Sequence, residues 1–269
     1  MTLKKTVLIT IISMVLIGTA SIAFANGSTE ARYGAGGGMG YGHGAGKSGG
    51  YGNANGVGQG ENRAAGRYNP EEHDAIEDII AGIDPAPLNE EEQADLLYMR
   101  EEEKLARDVY SALYDMYGIP VFRNIAESEQ AHMDSLAVLI ERYGLSDPVG
   151  IDTAGVFVNQ ELQELYKDLV EQGGRSLLAA AEVGAAVEEL DIADLDKALA
   201  ESDNDDMRIV YQNLQKGSRN HLRSFTMQIE RQGGDYSPVY LSEAEARAIV
   251  DRERETGTNI TDPEYRYIQ

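Results

Sequence analysis

The chain has 269 residues, with 23 basic against 46 acidic side chains for a net charge of −23, and it contains no Cys and no Trp. The absence of cysteine excludes disulfide scaffolds, thiolate zinc sites, iron–sulfur clusters and cysteine nucleophiles. The charge argues against nucleic-acid binding by phosphate neutralisation and against docking on anionic lipid.

In chain order, Lys4 and Lys5 precede an apolar run over 7–20, and Ala23-Phe24-Ala25 supplies a small-x-small cleavage pattern. Residues 1–25 therefore read as a signal peptide, with an uncleaved N-terminal anchor as the alternative, and the protein as secreted or extracytoplasmic. Residues 26–68 are rich in glycine, interspersed with Tyr33, Tyr41 and Tyr51. Glycine loses the most entropy on ordering and buries nothing, so this stretch is expected to be a disordered tether, with His43 a solvated residue inside it. Residues 69–88 hold a short acidic helix opened by Pro70, with His73 in its first turn, and a linker broken by Pro85 and Pro87.

Helical periodicity then dominates. Asn89 with Glu92 forms a capping box for a first long helix ending at Tyr117, before Gly118 and Pro120. A second runs over 121–143, and a ~30-residue connection with a short helix near 160–171 leads to a third over 176–200. A fourth covers 205–232, and Asp203-Asn204-Asp205-Asp206 reads as its acidic N-terminus rather than as a calcium loop. Residues 234–269 form a tail with one short helix capped by Ser242 and Glu245. With no sustained strand alternation the fold class is all-α. Short links make neighbours antiparallel, while the long link can run the length of a ~36 Å helix, giving a four-helix bundle over 89–233 with one crossover between its second and third helices.

The chemistry lies where polar residues interrupt apolar stripes. The stripes are Leu96, Met99, Glu103, Ala106, Tyr110 and Leu113; Ile125, Glu129, His132, Leu136 and Leu139; Leu177, Ala181, Gly184, Glu188, Asp191 and Leu195; and Val210, Leu214, Ser218, His221 and Phe225. Glu101 and Glu102 fall off the first stripe, with Glu102 expected on a wet face, and a second stripe through Glu182, Glu189 and Asp196 is expected to face water too. Inward carboxylates without an inward Lys or Arg are costly unless something neutralises them. A pair of divalent cations supplies that charge, and oxygen with imidazole donors suits iron, manganese or zinc. Candidate ligands are Glu103, Glu129, His132, Glu188 and His221, with Asp191 a sixth.

The segments YMREEEKLARDVYSALY, NIAESEQAHMDSLAVLIERYG, VGAAVEELDIADL and NLQKGSRNHLRSF resemble an uncharacterised bacterial and archaeal family placed in the ferritin-like superfamily. Glu103, Ala106 and Tyr110 resemble the first-helix Glu-x-x-Ala-x-x-x-Tyr of bacterioferritin-like proteins, and Glu129 with His132 matches their Glu-x-x-His. Where such proteins have a second Glu-x-x-His, this chain has Ser218-x-x-His221, and Asp191 is the candidate to supply the missing carboxylate. The resemblance implies a di-iron-type centre with redox chemistry toward oxygen, peroxide or ferrous iron. Metal ions are the partners so implied, and a homo-oligomer is left open. The competing reading is a metal-free helical interaction module on a glycine-rich tether.

Overall fold

The computed structural model describes residues 70–257. The expected signal peptide, tether and extreme C-terminal tail lie outside these residues. Among the described residues there are seven α-helices and no strand: α1 (Pro70–Ala81), α2 (Glu90–Tyr117), α3 (Pro120–Arg142), α4 (Gln160–Gly173), α5 (Leu177–Glu201), α6 (Asp205–Arg231) and α7 (Glu243–Val250). None of them is long and apolar enough to cross a membrane.

Local chemistry sets the helix ends. Asn89 Oδ1 accepts from the backbone N–H groups of Glu91 and Glu92, and Glu92 Oε2 accepts from Asn89 N at 2.9 Å, which closes the capping box of α2. Gly118 ends that helix at φ +65°, a left-handed conformation that favours glycine, and Pro120 starts α3 at once. Asn204 is the N-cap position of α6, with Asp205 and Asp206 in its first turn, where the helix dipole favours acidic groups.

The long helices close into a ring in which α2 packs on α3 and α5, and α6 packs on α5 and α3. Contacts at the helix ends fix their directions. Arg142 at the end of α3 bonds Asp206 at the start of α6 (Nε–Oδ2 3.0 Å), so these two helices are antiparallel. Asn204, following α5, donates to Glu92 at the start of α2 (2.7 Å), so α2 and α5 are antiparallel as well. Because the short links also reverse direction, α3 and α5 run the same way, and the connection between them travels the length of the assembly. It carries α4, which packs on α2 and α5. Three cations of α2 pin the connection down: Arg100 bonds Asp147, Lys104 donates to Thr153 O at 2.9 Å, and Arg107 pairs with Asp152 at 2.6 Å.

An apolar cluster including Ile80, Leu96, Met99, Leu136, Leu195 and Leu214 fills one end of the helix ring. Tyr110 and Phe122 pack tilted against Phe225 further along, with ring centroids 5.1 and 5.7 Å from it. Phe225 fits because α5 has no side chain at Gly184, where an added Cβ would stand 2.5 Å from the ring. Gly184→Ala gains about 1 kcal/mol of helix propensity but overpacks a rigid aromatic, at a cost of about 1–3 kcal/mol. We expect net destabilisation of about 1 kcal/mol, read as a lower denaturant midpoint with an unchanged slope; a stabilised variant would contradict this packing.

Candidate metal centre

Between the apolar end and the aromatic cluster, the polar interruptions of the four stripes meet. One turn of α3 places Glu129 and His132 side by side, because residues three apart share a helix face. Glu129 Oε2 lies 2.7 Å from His132 Nδ1, and His132 Nδ1 lies 3.2 Å from Glu103 Oε2 on α2. The other oxygen, Glu129 Oε1, is 2.8 Å from His221 Nδ1 on α6, which is itself 3.4 Å from Glu188 Oε2 on α5. The two imidazoles stack with centroids 5.6 Å apart. Two sets of three donors result, Glu103–Glu129–His132 and Glu129–Glu188–His221, within each of which the ligand atoms lie within 4.8 Å of one another. Glu129 belongs to both.

Hydroxyl groups surround these donors. Tyr110 donates its phenol hydrogen to Glu188 Oε1, and the Ser128 hydroxyl stands 3.0 Å from His221 Nε2. Asp191 is also buried and reaches inward, where the Ser218 hydroxyl donates to its Oδ2, but it belongs to neither set of three. Ser218 and Asp191 thus share the space that a longer carboxylate on α6 would take. On α6, Gly217 lets the His132 ring lie against the backbone, since a Cβ there would stand 2.5 Å from Nε2.

Burial without a cationic side chain perturbs every acid here. Burial pushes Glu103 and Glu188 up to about 7, and it pushes Asp191 well above the ordinary range, helped by the charges of Glu103 and Glu102. Burial also opposes ionisation of Glu129, but the flanking imidazoles outweigh it and hold that carboxylate far below its usual range. For the imidazoles burial opposes the charged form, yet Glu129 and Glu188 raise His221 to about 9, and Glu103 and Glu129 raise His132 well above 6.5. Two buried carboxylate oxygens here still have no hydrogen-bond partner, Glu103 Oε1 and Asp191 Oδ1. Such orphans are rare in folded proteins and cost about 1–3 kcal/mol each, so their convergence on one spot suits cations bound between them.

Two expectations about solvated faces are wrong. Glu189 is 0 % exposed, and it accepts from the backbone N–H groups of Val239, Tyr240 and Leu241 and from the Tyr236 hydroxyl. Glu102 is 2 % exposed rather than facing water. Glu101, off the stripe, is buried too and accepts from Val158 N and Asn159 N at the head of α4. The reason is the same in each case: α4 and the 236–241 segment cover faces that a bare four-helix assembly would leave wet. Glu189→Gln should therefore destabilise the fold by about 1–2 kcal/mol, since all three N–H groups bond Oε2, a neutral amide oxygen is a weaker acceptor for them than a carboxylate, and the amide NH2 replaces the acceptor of the Tyr236 hydroxyl. Chemical denaturation would measure it, and a loss under ~0.5 kcal/mol would show the segment to be held otherwise.

Residues 92–253 match a family model described as an uncharacterised protein domain, DUF2202. The chain belongs to this family. It is 48% identical over 182 residues to the uncharacterised protein MJ0754 of Methanocaldococcus jannaschii, covering 68% of this chain and 98% of the relative. The crystal structure of hypothetical protein MJ0754 from Methanococcus jannaschii superposes with a TM-score of 0.64 at 49% identity, over 65% of this chain and 99% of that one. All six candidate ligands, together with Tyr110, Ser128 and Ser218, fall inside the matched residues of the DUF2202 family.

Proposed function

We propose that this member of the DUF2202 family is an exported ferritin-like protein whose four-helix bundle holds two transition-metal ions, most suitably iron, with manganese or zinc as alternatives. The observation that carries the reading is the pair of donor triads sharing Glu129. A single carboxylate with one oxygen toward each imidazole is the arrangement that lets two ions sit side by side and share one negative charge. Glu103 with His132 would hold one ion and Glu188 with His221 the other. Asp191 adds a fourth carboxylate at the margin, oriented by Ser218. The donor set of oxygen and imidazole fits first-row divalent metals better than calcium or magnesium, which take oxygen alone.

A bound iron or manganese pair would supply one-electron and two-electron exchange with dioxygen, peroxide or ferrous iron, chemistry that zinc lacks. The protein's own contribution is positional and protective. The helices exclude water from the donors, Tyr110 fixes one carboxylate, and Glu103, Glu188 and Asp191 are acids that give up protons as cations arrive and take them back as cations leave. Export follows from the N-terminal charge and apolar run, with the glycine-rich stretch as a tether. Elemental analysis and equilibrium dialysis of the full chain against Fe(II), Mn(II), Co(II) and Zn(II) should find about two ions per chain. Failure to retain any of them near stoichiometry would defeat this reading and leave the helical interaction module as the better account.

A further inference from the structure

The two donor triads share Glu129 but are built differently. In the set Glu129–Glu188–His221, both partners of Glu129 are held from outside: the Tyr110 phenol donates to Glu188 Oε1, and Ser128 Oγ lies 3.0 Å from His221 Nε2. Ser128 can take the hydrogen carried on Nε2, which leaves Nδ1, the nitrogen facing Glu129 and Glu188, to serve a ligand. The whole group lies deep, with the His221 side chain 2 % exposed. In the set Glu103–Glu129–His132 the imidazole side chain is 11 % exposed, and its Nε2 edge rests on the bare backbone of Gly217 rather than on a hydroxyl. Glu103 Oε1 there has no hydrogen-bond partner. One set is clamped by hydroxyl groups on both partners of Glu129, whereas the other has the more exposed imidazole, lying against Gly217 of α6.

Resting on the two-metal reading above, we propose that the two positions are inequivalent: the Glu129–Glu188–His221 position holds a resident divalent ion, and the Glu103–Glu129–His132 position exchanges its ion with solvent past His132. The physical reason is preorganisation. Donors already fixed by neighbouring hydrogen bonds lose little freedom when a cation arrives, so binding there is tighter, and burial slows release. A donor that must be ordered, and whose imidazole is the more exposed, binds more weakly and lets go sooner. Ser128 is then a positioning residue, acting through His221 without touching an ion. Tyr110 plays the same part for Glu188.

Calorimetric titration of the full chain with CoCl2 at pH 7.5, followed by a chelator time course, tests this. Two binding steps at least about tenfold apart are expected, with one ion removed quickly by EDTA and the other slowly. His132→Ala should lose the weak, fast ion and keep the tight one. Ser128→Ala should weaken the tight step about 10- to 100-fold, and Ser128→Thr, which restores the hydroxyl, should recover it. Tyr110→Phe, nearly isosteric, reads the same step through Glu188 if Ser128→Ala does not fold. Equal affinities for the two ions, loss of the tight ion in His132→Ala, or an undiminished tight step in both Ser128→Ala and Tyr110→Phe would each overturn the inequivalence while leaving the metal centre standing. Absence of any Co(II) uptake by the unaltered chain would instead remove the two-metal reading and this inference with it.

Discussion

Glu129→Gln should abolish uptake of both ions and lower the melting temperature of the metal-free chain by roughly 10 °C. The double loss follows from position, since Glu129 is the one residue common to both donor triads. The thermal effect follows from charge. Its two oxygens stand 2.7 and 2.8 Å from His132 Nδ1 and His221 Nδ1, and both imidazoles are raised by that carboxylate, so they are largely protonated near neutrality. Removing one member of a buried ion pair costs about 3–5 kcal/mol because an uncompensated charge is left behind. The imidazoles can escape part of that cost by releasing protons, which favours the low end. For a domain of this size 1 kcal/mol corresponds to about 2–4 °C, so the expected drop is near 10 °C at pH 6 and smaller at pH 9. Glu103→Gln is the useful contrast: it faces His132 alone, so it should cost one ion and a smaller fall in melting temperature. A Glu129→Gln chain that still binds two ions, or melts within ~2 °C of the unaltered protein, would show that Glu129 bridges nothing.

Much of this site could be read from helical periodicity because its donors are the residues that break otherwise apolar stripes. Glu103, Glu129, His132, Glu188 and His221 each sit where a 3–4 spacing demands a core residue, and the structure brings all five together. The same logic misplaced Glu102 and Glu189. Periodicity assigns a face by its own helix, whereas α4 and the 236–241 segment arrive from elsewhere in the chain and bury those carboxylates. Ser128 carried no signal at all, since it lies beside the stripe and matters only through a residue 93 positions later. Gly217 did offer one: a glycine in the interior of a long helix costs ~1 kcal/mol relative to alanine, which usually marks a close approach. Here the approaching group is the His132 ring. The helix boundaries were legible from caps, as at Asn89, Ser176 and Ser242, because capping is a local matter of one side chain and two or three N–H groups. The pinning of the crossover by Arg100, Lys104 and Arg107 was not, because polar contacts spanning 45 or more residues leave no local pattern.

The gain in melting temperature on adding metal should grow steadily from pH 5.5 to pH 8.5. In the metal-free chain His221 has a folded-state value of about 9 against 6.5 unfolded, and His132 is shifted the same way. Raised values of this kind contribute stability that is complete below pH 6.5 and is lost as pH rises through the folded value. Glu103 and Glu188, pushed up to about 7, act in the same direction: their protonated forms favour the fold most below about pH 4.5, and that advantage disappears as pH rises through 7. Glu129 is the opposite case. Held below its ordinary range, it contributes stability above about pH 4.5 that is lost in acid. The metal-free protein should thus be most stable near pH 5–6 and weaken toward pH 9, as carboxylates ionise against one another and the imidazoles lose their protons. Cations reverse the sign of this trend. They compete with protons for the same oxygen and nitrogen atoms, so their affinity rises as those protons leave, and stabilisation by a ligand grows as RT ln(1 + [L]/Kd). A hundredfold excess over Kd is worth about 2.7 kcal/mol, or roughly 5–10 °C here. Differential scanning calorimetry with and without Co(II), run at half-unit intervals of pH, gives the comparison directly. A gain that stays level or shrinks with rising pH would mean that the cation binds to the exterior acidic surface, whose carboxylates are already ionised at pH 5.5, rather than to the buried cluster around Glu129.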